Sequence, residues 1–349
     1  MESHMQISRR TVAFGEVMLR LSPAGKERLL QSSQLVATFG GSEINAAIAM
    51  AQLGAETSFV TILPDANPLT ESCIGEIRRF GVDTSMILRG KGRMGIYFLE
   101  PGAGERPTRV FYDRADSALA LAKPGDIDWD TVFQGAGWFH ISGITPAVSE
   151  SAAELAVESI QKAKAAGLIV SLDLNYRKNL WKWGKTPIEV IPGLTHLVDI
   201  LIANEADVRM GLGFDVPASV RPGFLDPESY RDLTRKVLAQ YPNMQAITIS
   251  LREPMPTGQV GWSSCLDDRK EFHVSRHFAM NQVVDGVGAG DCFAGAFIYG
   301  WQTFDSHSEA LEFAVAASCL KHSVPGDFSR YTLDEIKTLM QGGPRGIAR

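Results

Sequence analysis

The chain has no apolar run near the roughly 18 residues that a membrane-crossing helix requires. Its long uncharged stretches, such as Cys292–Phe304, contain Gly, Gln and Thr and stop short. It also has no excess of positive charge: 34 Lys and Arg against 40 Asp and Glu give a net charge of −6. A general nucleic-acid binder carries a basic face, so that class loses ground, although one basic cleft remains compatible with an acidic whole. Cysteine is scarce. Cys73, Cys265, Cys292 and Cys319 are scattered and form no C-x-x-C, which suits buried thiols in a reducing compartment better than disulfides. Met1–Arg10 has no apolar core and no cleavage pattern, so no secretory leader is expected and the cytoplasm is the expected location. Residues 1–10 read as a disordered, tag-like stretch outside the fold.

With 349 residues, 45% of them hydrophobic and 21% charged, the chain is long enough for one large α/β unit with an insertion, or for two units. Val12–Leu21 reads as one strand. Its first half is continuously apolar, as in a sheet buried on both faces. Its second half alternates, as in a half-exposed layer. A helix over Glu43–Leu53 ends at Gly54, a strand covers Thr57–Leu63, and a helix covers about Thr70–Phe80. Gly95–Glu100 and Arg109–Asp113 read as a hairpin around Pro101-Gly102-Ala103-Gly104, with no helix between. Strands at Trp138–Ser142, Leu168–Leu174, Ile200–Ala203 and Ala246–Leu251 then alternate with helical segments, Ser149–Ala166 among them. A hairpin falls near Gly261–Val274, and helices at Ala289–Phe304, Ser308–His322 and Thr332–Met340 close the chain. Gly211–Pro227 reads as an irregular loop. The alternation implies a mostly parallel sheet covered on both faces, and the hairpin implies a small second sheet projecting from it.

Two glycine-rich turns carry the chemistry. Val284-Asp285-Gly286-Val287-Gly288-Ala289-Gly290-Asp291 opens an apolar, small-residue helix. A helix N-terminus offers unpaired N–H groups and partial positive charge, which attract phosphate, and glycines let it approach closely. A carboxylate at Asp291 is awkward beside an anion unless it takes a proton from an attacking hydroxyl. The same residues also suit a tight turn with Asp291 as an ordinary cap. Gly40-Gly41-Ser42-Glu43-Ile44-Asn45 is a second glycine pair opening a helix. It reads either as a plain αβ turn or as a close approach to a small ligand, with Asn45 offering donor and acceptor.

Other patterns fail. Gly90–Gly95 fits G-x-G-x-x-G, but a strand and not a helix follows it. There is no Walker A loop, no G-x-S-x-G and no H-E-x-x-H. His273 and His277 sit in a strand-like segment without completing ligands for zinc.

The Gly-Ala-Gly-Asp block at 288–291 and the Gly-Gly-x-x-x-Asn block at 40–45 resemble the two signatures of the PfkB, or ribokinase-like, carbohydrate kinases. The likeness runs from about Val12 to Gly326 in the right order. It implies an α/β ribokinase-like fold: a Rossmann-like, mostly parallel sheet flanked by helices, with a small β-sheet lid. The kinase domain would span 11–345, with the lid drawn from about 16–38 and 93–115. Phe111-Tyr112-Asp113-Arg114 with Ser117-Ala118, and Asp173-Leu174-Asn175-Tyr176-Arg177, resemble segments of 2-keto-3-deoxygluconate kinases.

The resemblance implies ATP-dependent phosphorylation of 2-keto-3-deoxygluconate on its terminal hydroxyl, with Mg2+. Another sugar kinase of the family (fructokinase, ribokinase or ketodeoxygalactonate kinase) or a silent sugar-binding protein are the alternatives. Asp291 would be the base, with the backbone of Gly288, Ala289 and Gly290 around the phosphoryl group. The sugar acid would meet Gly40, Gly41, Asn45, Tyr97, Tyr112, Arg114, Arg177 and Asp327, the two arginines suiting its carboxylate. The nucleotide side would use Asn175, Arg177, Asn204, Ser250, Arg252, Gly288 and Gly290. Asn204-Glu205-Ala206-Asp207 resembles the family's Asn-x-x-Glu motif, which helps to organise magnesium, but ends in the shorter Asp207. Asn204 and Asp207 would serve the metal through water. A second departure is Arg252-Glu253-Pro254-Met255-Pro256, where relatives commonly have a glycine-rich turn. Family habit further implies that the lid can pair two chains.

Overall fold

The structure is a computed structural model and describes residues 10–31, 33–216, 227–254 and 260–343. The tag-like reading of the N-terminus and the end of the 252–256 departure therefore lie outside the described residues, except at their edges. The elements in chain order are β1 (Arg10–Phe14), β2 (Met18–Ser22), β3 (Val36–Gly40), α1 (Ser42–Gln52), β4 (Thr57–Pro64), α2 (Pro68–Arg79), β5 (Ile87–Gly90), β6 (Ile96–Glu100) and β7 (Arg109–Asp113). Next come α3 (Trp129–Phe133), β8 (Ala136–Ser142), α4 (Thr145–Val148), α5 (Glu150–Ala165), β9 (Ile169–Asp173), α6 (Pro187–Thr195), β10 (Ile200–Asn204), α7 (Glu205–Leu212) and α8 (Pro227–Gln240). The chain closes with β11 (Ala246–Pro254), β12 (Val260–Asp267), β13 (Phe272–Val274), β14 (Phe278–Met280), α9 (Ala289–Thr303), α10 (His307–Lys321) and α11 (Leu333–Met340).

The large sheet runs β13-β12-β11-β10-β9-β8-β1-β4-β5, with β14 also paired to β12. Strands β5 through β11 of that order are parallel, and β12 turns antiparallel onto β11. Adjacent residues of β8 serve opposite faces, as the two-residue period of a strand demands. Phe139 packs with Phe14, Trp129 and Phe133 in one layer, while Trp138 packs with Phe293, Phe297 and Phe313 in the other. Helices α1 and α9 meet on the second face through small residues. A Cβ on Gly295 would lie 2.4 Å from the Ala46 carbonyl oxygen, so only glycine permits this approach.

The second sheet has order β3-β2-β6-β7, with β2 and β6 parallel and both outer pairs antiparallel. The sequence pattern expects a single strand over Val12–Leu21. The structure breaks it after Phe14, and its halves join different sheets. At the break a Cβ on Gly15 would lie 2.1 Å from the Glu43 carboxylate, so the chain turns where α1 presses against it. Strands β3 and β5 were not expected. Both are short and largely half-exposed, so their apolar pattern is weak. Helices α6, α7 and α8 were not delimited either. Pro192 lies inside α6, and the expected loop 211–227 in fact begins inside α7 and ends at the start of α8. No helix among the described residues is long and apolar enough to cross a membrane.

The chain leaves β1 for β4 and β5 on one side and returns to β8, β9 and β10 on the other. The strand order reverses between β1 and β8. A crevice outside the carboxyl ends of the strands is the physical consequence of such a reversal, because the two following connections diverge there.

Candidate active site

That crevice holds a cavity of about 410 Å³. Its floor is the N-terminus of α9. Gly288 is the N-cap residue, with φ +81, and no side chain caps the helix. A Cβ at Gly288 would lie 2.2 Å from the Asp327 carbonyl oxygen, so both backbone hand and space require glycine. Asp291 is therefore not an ordinary cap. Its carboxylate turns away and accepts from Ser42 Oγ at 2.8 Å, Asn45 Nδ2 at 2.7 Å and Asn175 Nδ2 at 3.1 Å. Burial raises its pKa above the ordinary 3.8, opposed by the Asn45 and Ser42 hydrogen bonds and the Arg177 charge, with Asp327 adding to the rise.

Two of these donors come from the first turn of α1. Gly41 is its N-cap in extended backbone, and a Cβ there would lie 2.0 Å from the Glu16 carbonyl oxygen. The Asn45 Oδ1 accepts from Gly41 N at 3.3 Å, which fixes the amide so that its Nδ2 points at Asp291. Asn175 follows β9 in a left-handed conformation, φ +39, which asparagine tolerates better than most residues. Its backbone N donates to Asp173 Oδ1 at 3.1 Å, and its Nδ2 also donates to Ser42 Oγ at 2.7 Å. Ser42 and Asp173 were missed in the sequence. Ser42 sat inside the glycine block with no separate signal, and Asp173 stood inside a recognised motif without a role.

Asn204 and Asp207 form a reciprocal capping box on α7. Asn204 Oδ1 accepts from Asp207 N at 3.0 Å, and Asp207 Oδ2 accepts from Asn204 N at 2.9 Å. Asp207 Oδ1 accepts from Tyr176 N at 2.8 Å. Both oxygens thus already serve backbone amides, which explains why this carboxylate is buried on the wall of the cavity. Burial pushes Asp207 above 3.8. Burial and then the charges of Asp207 and Asp291 push Asp173 well above it. Arg177 lines the same wall. Burial works against its charge, but Tyr112, Asp207, Asp291 and Asp173 outweigh it and raise its pKa.

The small sheet covers the opposite side. Tyr97 and Tyr112 are cross-strand partners and both line the cavity. The Tyr97 hydroxyl donates to Asp327 Oδ1. Arg20 of β2 bridges two carboxylates, Asp327 Oδ1 at 2.8 Å and Asp285 Oδ2 at 2.6 Å. Arg20 was missed because on the alternating strand it reads as a solvent-facing residue, whereas it is only 5% exposed.

The cavity wall includes Gly41, Asn45, Tyr97, Tyr112, Asn175, Arg177, Asn204, Asp207, Ser250, Gly288, Gly290, Asp291 and Asp327. Four expected residues do not line it. Gly40 lies behind it, close enough that a Cβ would be 2.2 Å from the Asp327 carboxylate. Ala289 is buried. Arg252 is on β11 with its side chain exposed. Arg114 is drawn behind Tyr112 by Glu16, to which its Nε donates at 2.7 Å. Its Nη2 is ion-paired with Glu16 Oε2, while Nη1 and Glu16 Oε1 are buried without a hydrogen-bond partner.

A profile of the pfkB family carbohydrate kinases matches residues 8–330. The 2-dehydro-3-deoxygalactonokinase of Haloferax volcanii is 32% identical over 97% of this chain and 98% of its own length. The 2-dehydro-3-deoxygluconokinase of Thermoproteus tenax is 28% identical over 90% of this chain and 89% of its own. Among solved structures, the 2-dehydro-3-deoxygluconokinase of Thermotoga maritima superposes with a TM-score of 0.89. It is 42% identical and covers 95% of this chain and 99% of its own.

Proposed function

Because this chain belongs to the pfkB family of carbohydrate kinases, which use ATP, we propose that its acceptor is a 2-keto-3-deoxy sugar acid, 2-keto-3-deoxygluconate or its galactonate epimer. The observation that carries the reading is Asp291, a buried carboxylate held by three side-chain donors, in one cavity with the Arg177 guanidinium. A hydroxyl placed against Asp291 gives up its proton to the carboxylate as its oxygen bonds to the γ-phosphorus. The bond from that phosphorus to the β,γ-bridging oxygen breaks, and ADP leaves with that electron pair. The N–H groups of the first turn of α9 take up charge on the transferring group, as the open end of a helix does; of these, Ala289 N makes a long bond of 3.4 Å to Gly286 O.

Ser42, Asn45 and Asn175 keep the carboxylate in one orientation through three hydrogen bonds. Tyr97, Tyr112 and Asp327 suit sugar hydroxyls, and the small sheet excludes water from the transfer. Arg177 suits the acceptor's carboxylate or a phosphate. Arg114 lies outside the cavity wall and is ion-paired with Glu16; its remaining Nη1, without a hydrogen-bond partner behind Tyr112, is the one donor it adds for that carboxylate. Asp173 and Asp207 are hard oxygen donors near each other, and one or two carboxylates with phosphates are what magnesium commonly takes. Bound there through water, the ion would offset charge on the ATP phosphates.

The test is ADP release with ATP and magnesium against 2-keto-3-deoxygluconate, its galactonate epimer, fructose and ribose. A preference for the two acids is expected. Turnover confined to the neutral sugars would retain the kinase and reject the sugar-acid reading.

A further inference from the structure

Lys321 is an unusual residue for a core. It is 0% exposed, at the last turn of α10, whereas lysine is almost never fully buried without a partner. Its ammonium meets two backbone carbonyls, Asp285 O at 3.4 Å and Val324 O at 3.3 Å. These distances exceed those of good directional hydrogen bonds. The group sits between oxygens much as a free monovalent cation sits among carbonyls. Burial pulls its pKa below the ordinary 10.5, with Asp285 and Asp327 supporting the charge and Arg20 opposing it.

The two carbonyls belong to the segments that build the floor of the cavity. Val284 N and Asp285 N both donate to His322 O, at 2.9 and 3.3 Å. Gly326 N donates to Asp285 Oδ2 at 3.1 Å, and Ser318 Oγ donates to Ala289 O at 2.8 Å. Gly288 rests on the Asp327 backbone. Within this knot the carbonyls of 285 and 324 face each other across the ammonium. Without a cation, two buried oxygens would be left unpaired beside the start of α9, a position that costs free energy.

We propose that the Lys321 ammonium is a built-in cation that clamps the 284–288 loop to the 322–327 turn and so positions the N-terminus of α9 for phosphoryl transfer, in place of a free monovalent ion. Lys321 touches neither acceptor nor nucleotide in this reading, so it is a positioning residue. The proposal rests on the residues around Gly288 and Gly290 being the phosphoryl cradle.

Lys321→Ala removes the cation and leaves room for another; Lys321→Met removes the charge and fills the space. Rates and thermal midpoints are read in tetramethylammonium chloride, then in potassium or ammonium chloride at equal ionic strength. The wild type should turn over equally in all three salts. Lys321→Ala should lose kcat on the order of 10²-fold in tetramethylammonium, with the acceptor KM little changed. Ammonium or potassium should restore most of that loss and raise its midpoint, and neither should help Lys321→Met. A wild type that requires potassium, or a Lys321→Ala variant that is fully active or equally impaired in every salt, would overturn the proposal. Should Lys321→Ala fail to fold, the wild-type salt series decides. The midpoints need no substrate, so they stand even if the sugar-acid reading fails.

Discussion

Asp291→Asn is the sharpest perturbation of the proposed chemistry. The amide keeps the size of the side chain and an oxygen for Ser42 or Asn175, but it cannot take a proton. A positioned general base contributes on the order of 10²–10⁴-fold, or about 3–5 kcal/mol of barrier, and kcat should fall by that much. The fold should survive, with a thermal midpoint within several degrees of the wild type, because the floor also rests on Gly288, Ser318 and the 322–327 turn. The pH profile gives an independent reading. Burial raises the Asp291 carboxyl above 3.8, and only its ionised form is a base. The wild-type rate should therefore fall as pH drops through a value above the ordinary aspartate range, and rise to a plateau above it. In Asp291→Asn the residual rate should lack that acid limb. The assay is coupled ADP release across a pH series, with circular dichroism as the check on folding. A variant within about threefold of the wild-type rate, far short of a base's usual contribution, would refute the assignment. So would an unchanged acid limb.

Three further outcomes follow from particular contacts. Gly288→Ala places a Cβ 2.2 Å from the Asp327 carbonyl oxygen at φ +81; the left-handed backbone alone costs about 1–2 kcal/mol, so the midpoint and the rate should both drop, and an unchanged midpoint would show that the loop yields freely. Arg114→Gln leaves the buried Glu16 carboxylate unpaired and should cost about 3–5 kcal/mol. Adding Glu16→Gln should restore most of the midpoint without restoring KM for the sugar acids, and recovery of both would remove Arg114 from acceptor binding. His140 is fully buried, and burial holds it at about 4 against an ordinary 6.5. The unfolded chain takes up the proton first as pH falls through 6.5, so stability present at neutral pH is lost between 6.5 and about 4. Between pH 7 and pH 5 this amounts to about 2 kcal/mol. His140→Gln should reduce the pH-dependent loss in urea melts by that amount, and an unchanged pH dependence would rule out a buried neutral imidazole.

Local pattern carries as far as local causes do. The buried strands β4, β8, β9 and β10 are predominantly apolar, and helices α1, α5, α9 and α10 each have a glycine or a polar cap at one end or more, so both kinds of element are legible from neighbours in the chain. The glycine turns at 40–41 and 286–290 are legible as motifs, but what demands glycine there is tertiary: Asp327 crowds Gly40 and Gly288, Glu16 crowds Gly41, and only Gly288 adds a left-handed φ. Elements whose stability comes from elsewhere are not legible in this way. The strand break after Phe14 is imposed by Glu43 of α1. Strand β3 exists because β2 supplies its hydrogen-bond partners, and its own pattern is mixed.

The candidate site divides along the same line. That Asp291, Asn45, Arg177 and Asp327 are candidates for one site was legible in the sequence, through motifs that keep a residue type at a fixed place on a helix or strand end, and the four do line one cavity. What each one touches was decided by the tertiary structure. Ser42 reaches Asp291 across 249 residues of chain, and Arg20 reaches Asp327 across 307. A carboxylate's partner depends on which donors the fold brings within about 3 Å, and no local spacing encodes that distance. For the same reason Arg114 turned to Glu16 and Asp207 became half of a capping box. Lys321, an ordinary helix-ending lysine in the sequence, became a buried cation only because two loops closed over it.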